Sequence, residues 1–284
     1  MDTASGTGNT QLERQQMTIR AISYGGGVQS TAMVVLAAQK IIDYPIALFS
    51  NVGDDSEHPA TLEYVRNIAI PWAAEHGVEI HELQRTKKDG TVETLMGRIT
   101  REGSKSIAIP VRLTNGMPAS RSCTADFKIA VVGKWLKAHG ANADDKATVA
   151  IGISTDEIQR INNKKPEKYQ TVEYPLIDLR LSRSDCKQII KKAGLPVPPK
   201  SSCFFCPFHR PLVWSEMRRD EPELFEKAAD LEMHMIERQI NLGREPVYFT
   251  DRKKPLRQAI NIAQTPLFID DDGPEQCDSG YCFT

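Results

Sequence analysis

The stretch SYGGGVQST, residues 23–31, sets three glycines among hydroxyl and amide side chains directly after an apolar run. The run before it, MTIRAIS (residues 17–23), reads as a short strand, and STAMVVLAAQKII (residues 30–42) has the apolar density of a buried helix. A glycine-rich turn between strand and helix presents backbone N–H groups and a helix N-terminus, which together suit an anion such as phosphate. Working outward, YPIALFSN (44–51) reads as a second strand and residues 59–75 as a helix with a break at Pro71. GVEIHEL (77–83) is then a third strand. That β-loop-α-β-α-β order implies right-handed crossovers and a doubly wound α/β fold, a parallel sheet covered by helices on both faces.

Farther along, residues 85–106 are polar, charged and glycine-bearing and read as an excursion or mobile loop, with order returning at SIAIPVRL (106–113). A helix is expected over 125–140, ending at Gly140, a buried strand over 147–154, and a serine-capped, glycine-stopped helix over 182–194. After GLPVPPK comes SSCFFCPFHR, then a charged helix over about 221–241 and a tail ending CDSGYCFT. The expected division is a leader at 1–17, a nucleotide-binding domain at 18–200 and a cysteine-bearing extension at 201–284. With 284 residues, 40% hydrophobic, the chain can bury a full core. A net charge of −1 marks no global affinity for nucleic acid or membrane. The first residues lack the charged and apolar regions of a signal peptide, and no apolar run reaches the ~18 residues of a membrane span. A cytoplasmic protein with no membrane partner is expected.

Which anion loop is it? The P-loop pattern needs a lysine that residues 23–31 do not contain, and the dinucleotide fingerprint needs a third glycine where Ser30 stands. The remaining pattern is S-x-G-G-x-x-S-T, matched with one extra residue by Ser23, Gly25, Gly26, Gly27, Gln29, Ser30 and Thr31. Here the chain resembles the PP-loop adenine nucleotide alpha hydrolase superfamily, and within it the phosphoadenosine phosphosulfate (PAPS) reductase-like family. LFSNVGDDSEHPATLEYV is similar to that family's second strand and acidic loop. GISTDEIQR and YPLIDLRLSRSDCKQIIKKAGLP are similar to its two later motifs.

The resemblance implies ATP with Mg²⁺ as ligand, opened at the inner phosphate to give AMP and pyrophosphate. The absence of the lysine that serves β- and γ-phosphates agrees with it. It assigns nucleotide contacts to the glycine-loop residues and Glu157, and phosphate contacts to Lys128 and Arg160. Asp54, Asp55 and Glu57, just past a strand end, lie where Mg²⁺ or ribose hydroxyls would be met. A solvated acidic loop is the plain alternative.

Six cysteines are too few for a disulfide scaffold in a chain of this length. Cys203 and Cys206, two residues apart and followed by proline, have spacing for one metal or cluster; a thioredoxin-like dithiol is the rival. Sulfonucleotide reductases hold an iron–sulfur cluster with a tandem cysteine pair plus a later C-x-x-C. This chain carries Ser122-Cys123 where the tandem would be. By resemblance Cys123, Cys203 and Cys206 would hold a four-iron (4Fe-4S) cluster with one iron open to a sulfur atom. His209 would instead complete a Cys₃His zinc site. Cys186, within an amphipathic helix, reads as a core thiol, and Cys277 and Cys282 as a redox arm or an inert tail.

The function so implied is ATP-dependent, AMP-forming sulfur transfer to a nucleobase, nucleotide or nucleic-acid acceptor, with Cys123, Asp54, Lys128 and Arg160 as the catalytic candidates. Reduction of APS or PAPS to sulfite is the alternative, and a non-catalytic nucleotide-binding module of a modification or defence complex is a third. The partners that follow are an adenine nucleotide, a sulfur donor (a cysteine desulfurase or sulfide) or a thioredoxin-like reductant, nucleic acid, and a second copy of the chain as a homodimer. The basic stretches at 160–169 and 252–255 read first as solvated faces.

Overall fold

The computed structural model describes residues 18–161 and 166–260. Five strands, β1 (Arg20–Tyr24), β2 (Ile46–Asn51), β3 (Glu79–Gln84), β4 (Ala147–Ile151) and β5 (Gln170–Glu173), form one all-parallel sheet in the order β3-β2-β1-β4-β5. The chain builds outward from β1 to β3, then returns across to β4 on the other side of β1. Strand order therefore reverses at β1, where open α/β sheets leave a crevice beyond the strand ends.

Along the chain the helices are α1 (Val28–Ala38), α2 (Pro59–Tyr64), α3 (Ile70–Glu75), α4 (Leu95–Thr100), the single turn α5 (Ser122–Thr124), α6 (Ala130–Ala138), α7 (Pro175–Asp178), α8 (Arg183–Lys192), α9 (Pro211–Asp220), α10 (Pro222–Asn241) and α11 (Leu256–Ala259). Alternate strand residues feed opposite faces. Ile22, Tyr24, Ala47 and Phe49 pack with α1, α3 and α8, while Ala21, Leu48 and Val149 pack with α6. Helix α1 is buried from Val28 to Ala37, as a helix must be when it lies between the sheet and α8. The capping box of α8, Ser182 with Asp185, and the left-handed Gly194 beyond its end fall where the sequence places them.

Two expectations change. Pro71 does not break the helix over 59–75. The wide π turn Val65–Ala69 joins α2 to α3 just ahead of it, which accommodates a residue that has no N–H for the i−4 carbonyl. The excursion at 85–106 contains α4, whose Leu95 and Ile99 are buried, so it is ordered by burial. Residues 106–113 add no strand to the sheet. Ala108, Ile109 and Val111 are buried, and Arg112 exchanges both backbone hydrogen bonds with Tyr248, at 2.7 and 3.0 Å.

These last segments belong to a second core. Val52, Leu95, Ile99, Val111 and Phe127 from the first half meet Phe204, Phe205, Trp214, Phe225 and Phe249 from the second. Trp214 is fully buried and stands 6.2 Å from Phe249, ring to ring. Glu232 of α10 is also fully buried. Its carboxylate accepts the Phe249 N–H at 2.6 Å and the Leu256 N–H, tying the segment after α10 back onto that helix. Among the described residues no helix is long and apolar enough to cross a membrane.

Burial pushes the Glu232 carboxyl up to about 7, against the backbone N–H groups that favour its ionised form. A carboxyl raised in the folded state gives up stability as pH climbs from its unfolded value, ~4.5, through the folded one, on the order of 3 kcal/mol in all. Denaturant unfolding between pH 5 and 8 is therefore expected to show wild-type stability falling more steeply than that of Glu232→Gln. Parallel profiles would mean that Glu232 is ionised in the folded protein throughout.

Candidate functional site

Because β1, β2 and β4 are parallel and in register, Ser23 against Leu48 and Ile151, their C-terminal ends share one edge. On that edge residues 25–27 turn the chain from β1 into α1. Gly26 has φ +75°, and a Cβ there would lie 3.0 Å from Val65 Cγ2 and 3.2 Å from Thr61 Cγ2. Gly27 stands at the N-cap, with no side-chain cap for the first turn of α1. Ser30 Oγ accepts the Gly25 N–H at 3.3 Å and donates to the Gly27 carbonyl at 3.2 Å. Thr31 Oγ1 lies 3.3 Å from the Tyr24 hydroxyl. Both hydroxyls thus brace the loop from inside. The backbone N–H groups and the positive end of α1 are its means of holding an anion. Ser23 Oγ is buried with no hydrogen-bond partner among the described residues.

Beneath the loop, Gln29 joins three segments. Its Nε2 donates to Glu157 Oε2 at 3.0 Å and to Ser154 Oγ at 3.4 Å, and its Oε1 accepts from Arg183 Nη1 at 3.1 Å. Glu157 and Arg160 form an ion pair at 3.0 Å, each side chain 3% exposed. A buried pair of this kind costs several kcal/mol if one member is removed, so it fixes the 3₁₀ turn Thr155–Arg160 beneath α1. Gln29, Glu157 and Arg160, separate in sequence, are thus brought together, and as placed they position the loop.

The acidic loop follows β2. Asp54 takes both nitrogens of Arg66, each at 2.8 Å, as well as Asn51 Nδ2 at 2.7 Å. Arg66 also holds Glu82. The Arg66 hydrogen bonds, then that of Asn51, hold the Asp54 carboxyl below the usual carboxylate range. A carboxylate matched this way is a poor ligand for Mg²⁺. Asp55 receives hydroxyl hydrogen bonds only, from Ser56 at 2.8 Å and Thr94 at 2.9 Å. Glu57 is 3% exposed and forms an antiparallel bridge with Cys203.

That bridge begins the attachment of the cysteine turn. The His58 N–H donates to Ser202 O at 3.1 Å, Phe204 N–H to Ser56 O at 3.2 Å, and the Ser201 hydroxyl to Gly25 O in the glycine loop. The turn closes with Cys206 N–H on Cys203 O at 3.1 Å and His209 N–H on Cys206 O at 3.0 Å. Phe204 and Phe205, nearly perpendicular at 4.9 Å, anchor it in the second core. Cys123 packs on the same core, its N–H on Ala108 O. Lys128 follows in the π turn Ala125–Ile129, where the Phe127 carbonyl accepts Ser50 Oγ at 2.6 Å from the end of β2.

Cys186 and Cys206 are buried, and Cys123 and Cys203 are half-buried. Soft sulfur donors suit an iron–sulfur cluster or zinc. As placed, however, no three His, Cys, Asp or Glu side chains among the described residues are grouped to hold a metal ion. His209 Nε2 stands 2.9 Å from Ser202 Oγ, and Nδ1 has no hydrogen-bond partner among the described residues. Burial, then the charges of Lys200 and His58, keep this ring neutral. Cys186 lies in the core against α1, and burial pushes its thiol up to about 12, so it is chemically quiet. Cys277 and Cys282 lie outside the described residues.

Sequence reasoning missed Arg66, Arg183, Ser201 and Ser202. None had a local signal, since each acts on a residue brought to it by folding.

Gly26→Val is expected to abolish ATP binding in calorimetric titration and to cost about 1–3 kcal/mol of stability, because a β-branched side chain suits neither the positive φ nor the space beside Val65. A folded variant with unchanged ATP affinity would place the phosphates elsewhere. No protein-family model matches the chain, and no curated protein matches it.

Proposed function

We propose that this chain is an ATP-dependent, AMP-forming sulfur-transfer enzyme built on a PP-loop nucleotide site. The observation that carries the reading is the attachment of the Cys203–Cys206 turn to both loops, through Ser201 on Gly25 and through the Glu57–Cys203 bridge. Thiol chemistry beside a nucleotide's phosphates is what sulfur transfer after adenylation needs.

In this reading the triphosphate lies against the N–H groups of residues 25–27 and the N-terminus of α1. Mg²⁺ carried on the triphosphate offsets charge that a loop without lysine leaves unmatched. An acceptor oxygen attacks the α-phosphorus, the bond to the bridging oxygen breaks, and pyrophosphate leaves. A sulfur nucleophile then displaces AMP from the adenylated carbon. Lys128 is the candidate to meet charge developing at the α-phosphate, while Gln29, Glu157 and Arg160 hold the loop rigid beneath it. Cys123, Cys203 and Cys206 are the sulfur-handling thiols; a four-iron cluster would require them drawn together from where they stand, and would then supply an open iron to carry the sulfur. A cysteine desulfurase or sulfide would provide that sulfur.

Incubation with ATP, Mg²⁺, sulfide and an acceptor mixture should release AMP and pyrophosphate; ADP and phosphate would overturn the reading. Replacing Cys123, Cys203 or Cys206 by Ala should stop sulfur incorporation while leaving ATP affinity intact, since the loop holds phosphate through backbone groups. Cys186→Ala should change only stability, by about 1 kcal/mol. Sulfur incorporation unaffected by all three site substitutions would remove the cysteines from the mechanism.

A further inference from the structure

On the side of the acidic loop facing α10 lies a cavity of about 570 Å³ that includes no residue of the glycine loop. Its volume falls within the ~300–1,000 Å³ of small-molecule sites. Met96, Phe204, Leu224 and Leu231 give it apolar walls, and Asp55 and Glu57 line it from the acidic loop. Phe204 sits between the two cysteines of the turn in sequence, so the cavity reaches that turn, although neither cysteine is among the residues that line it. Helix α10 contributes Lys227, Asp230, Leu231 and His234, spaced as one helical face.

The charges select the ligand. Of the carboxylates that line the cavity, Asp54 is matched by Arg66, and Asp230 by Arg257 at 2.6 Å. Asp55 receives only the Ser56 and Thr94 hydroxyls and has no cation partner among the described residues. Four carboxylates on one cavity repel a phosphate backbone. Flat apolar walls with an unmatched carboxylate suit a planar ring that offers N–H donors on one edge.

We propose that this cavity binds a planar heterocycle with paired N–H donors, of the guanine type, as a second ligand site beside the glycine loop. Its role as the acceptor site rests on the sulfur-transfer reading; its ability to bind such a ring does not. Guanine offers adjacent N1–H and N2–H donors to one carboxylate. Uracil flanks its single ring N–H with two carbonyls, which a carboxylate repels.

Thr100 is exposed and lines both this cavity and a neighbouring one of about 370 Å³ along α10, so a large side chain there fills the neck between them. Lys227, also exposed, lines the larger cavity alone, and a large side chain there occupies it from α10. The test is saturation-transfer NMR and calorimetry on the full chain with guanosine and uridine, each with and without AMP. Guanosine is expected to bind at least about tenfold more tightly than uridine, without being displaced by AMP. Thr100→Trp and Lys227→Trp should each weaken guanosine about tenfold or more and leave AMP affinity unchanged, and Asp55→Asn should erase the preference over uridine. Gly26→Val should lose AMP and keep guanosine. Absence of guanosine binding, equal binding of uridine, displacement by AMP, or guanosine binding that survives both tryptophan variants would each overturn the proposal. Guanosine binding in a protein that binds no AMP would sustain the cavity and remove the nucleotide reading instead.

Discussion

The backbone bridge between Glu57 and Cys203 is the contact on which the arrangement of the strand-end edge depends. It joins a loop set by β2 to a turn nearly 150 residues later, and its neighbours, His58 on Ser202 and Phe204 on Ser56, extend it on both sides. Each such hydrogen bond contributes only about 1 kcal/mol net, but together they fix register, which a single bond does not. The acidic loop can offer those groups because of Gly53. Its φ is +129°, and a Cβ there would fall 2.5 Å from Asp55 Oδ1 and 2.6 Å from Thr94 Cβ. One glycine therefore shapes the loop, and the loop seats the cysteines.

Charge around the edge is mostly matched within the protein. Arg66 spans Asp54 and Glu82, Arg160 pairs with Glu157, and Arg98 bridges Glu93 and Asp126. The Arg98 hydrogen bonds, with Arg85 behind them, hold the Glu93 carboxyl down to about 2, so this brace on α4 keeps its charge around neutral pH. The glycine loop has only backbone dipoles, worth about half a charge at the helix end. Ligand charge must then be met by what the ligand brings with it.

Much of this was legible in the chain. The glycine loop, four of the five strands and the cap and stop of α8 follow from local chemistry, because each depends on residues a few positions apart. Strand β5 was not legible: its four residues, Gln170–Glu173, lie in a charged stretch and gain their place by pairing with β4. Helix α4 is six residues long, and its apolar Leu95, Met96 and Ile99 are too few to reveal a buried face. The neutralisation of Asp54 by Arg66, the brace of Ser201 on Gly25 and the cavity under α10 arise from long-range packing, which leaves no periodic trace. The cysteine spacing announced a shared site, yet what roots the turn is the pair of phenylalanines between the thiols, packed into the second core.

The second core is assembled from two blocks of chain, residues 52–127 and 204–260. On a ribosome the first block emerges with β1 to β3 already able to pair, but the core that Val111 and Phe127 share with Trp214 and Phe225 is incomplete until the second block has been made. Contacts of such separation form slowly, and the unpaired apolar surface is open to self-association in the interval. The glycine loop can be shaped early, whereas the Cys203–Cys206 turn reaches it only after the whole of the sheet has been made. A nascent chain thus passes through a stage with its glycine loop formed and no cysteine turn beside it.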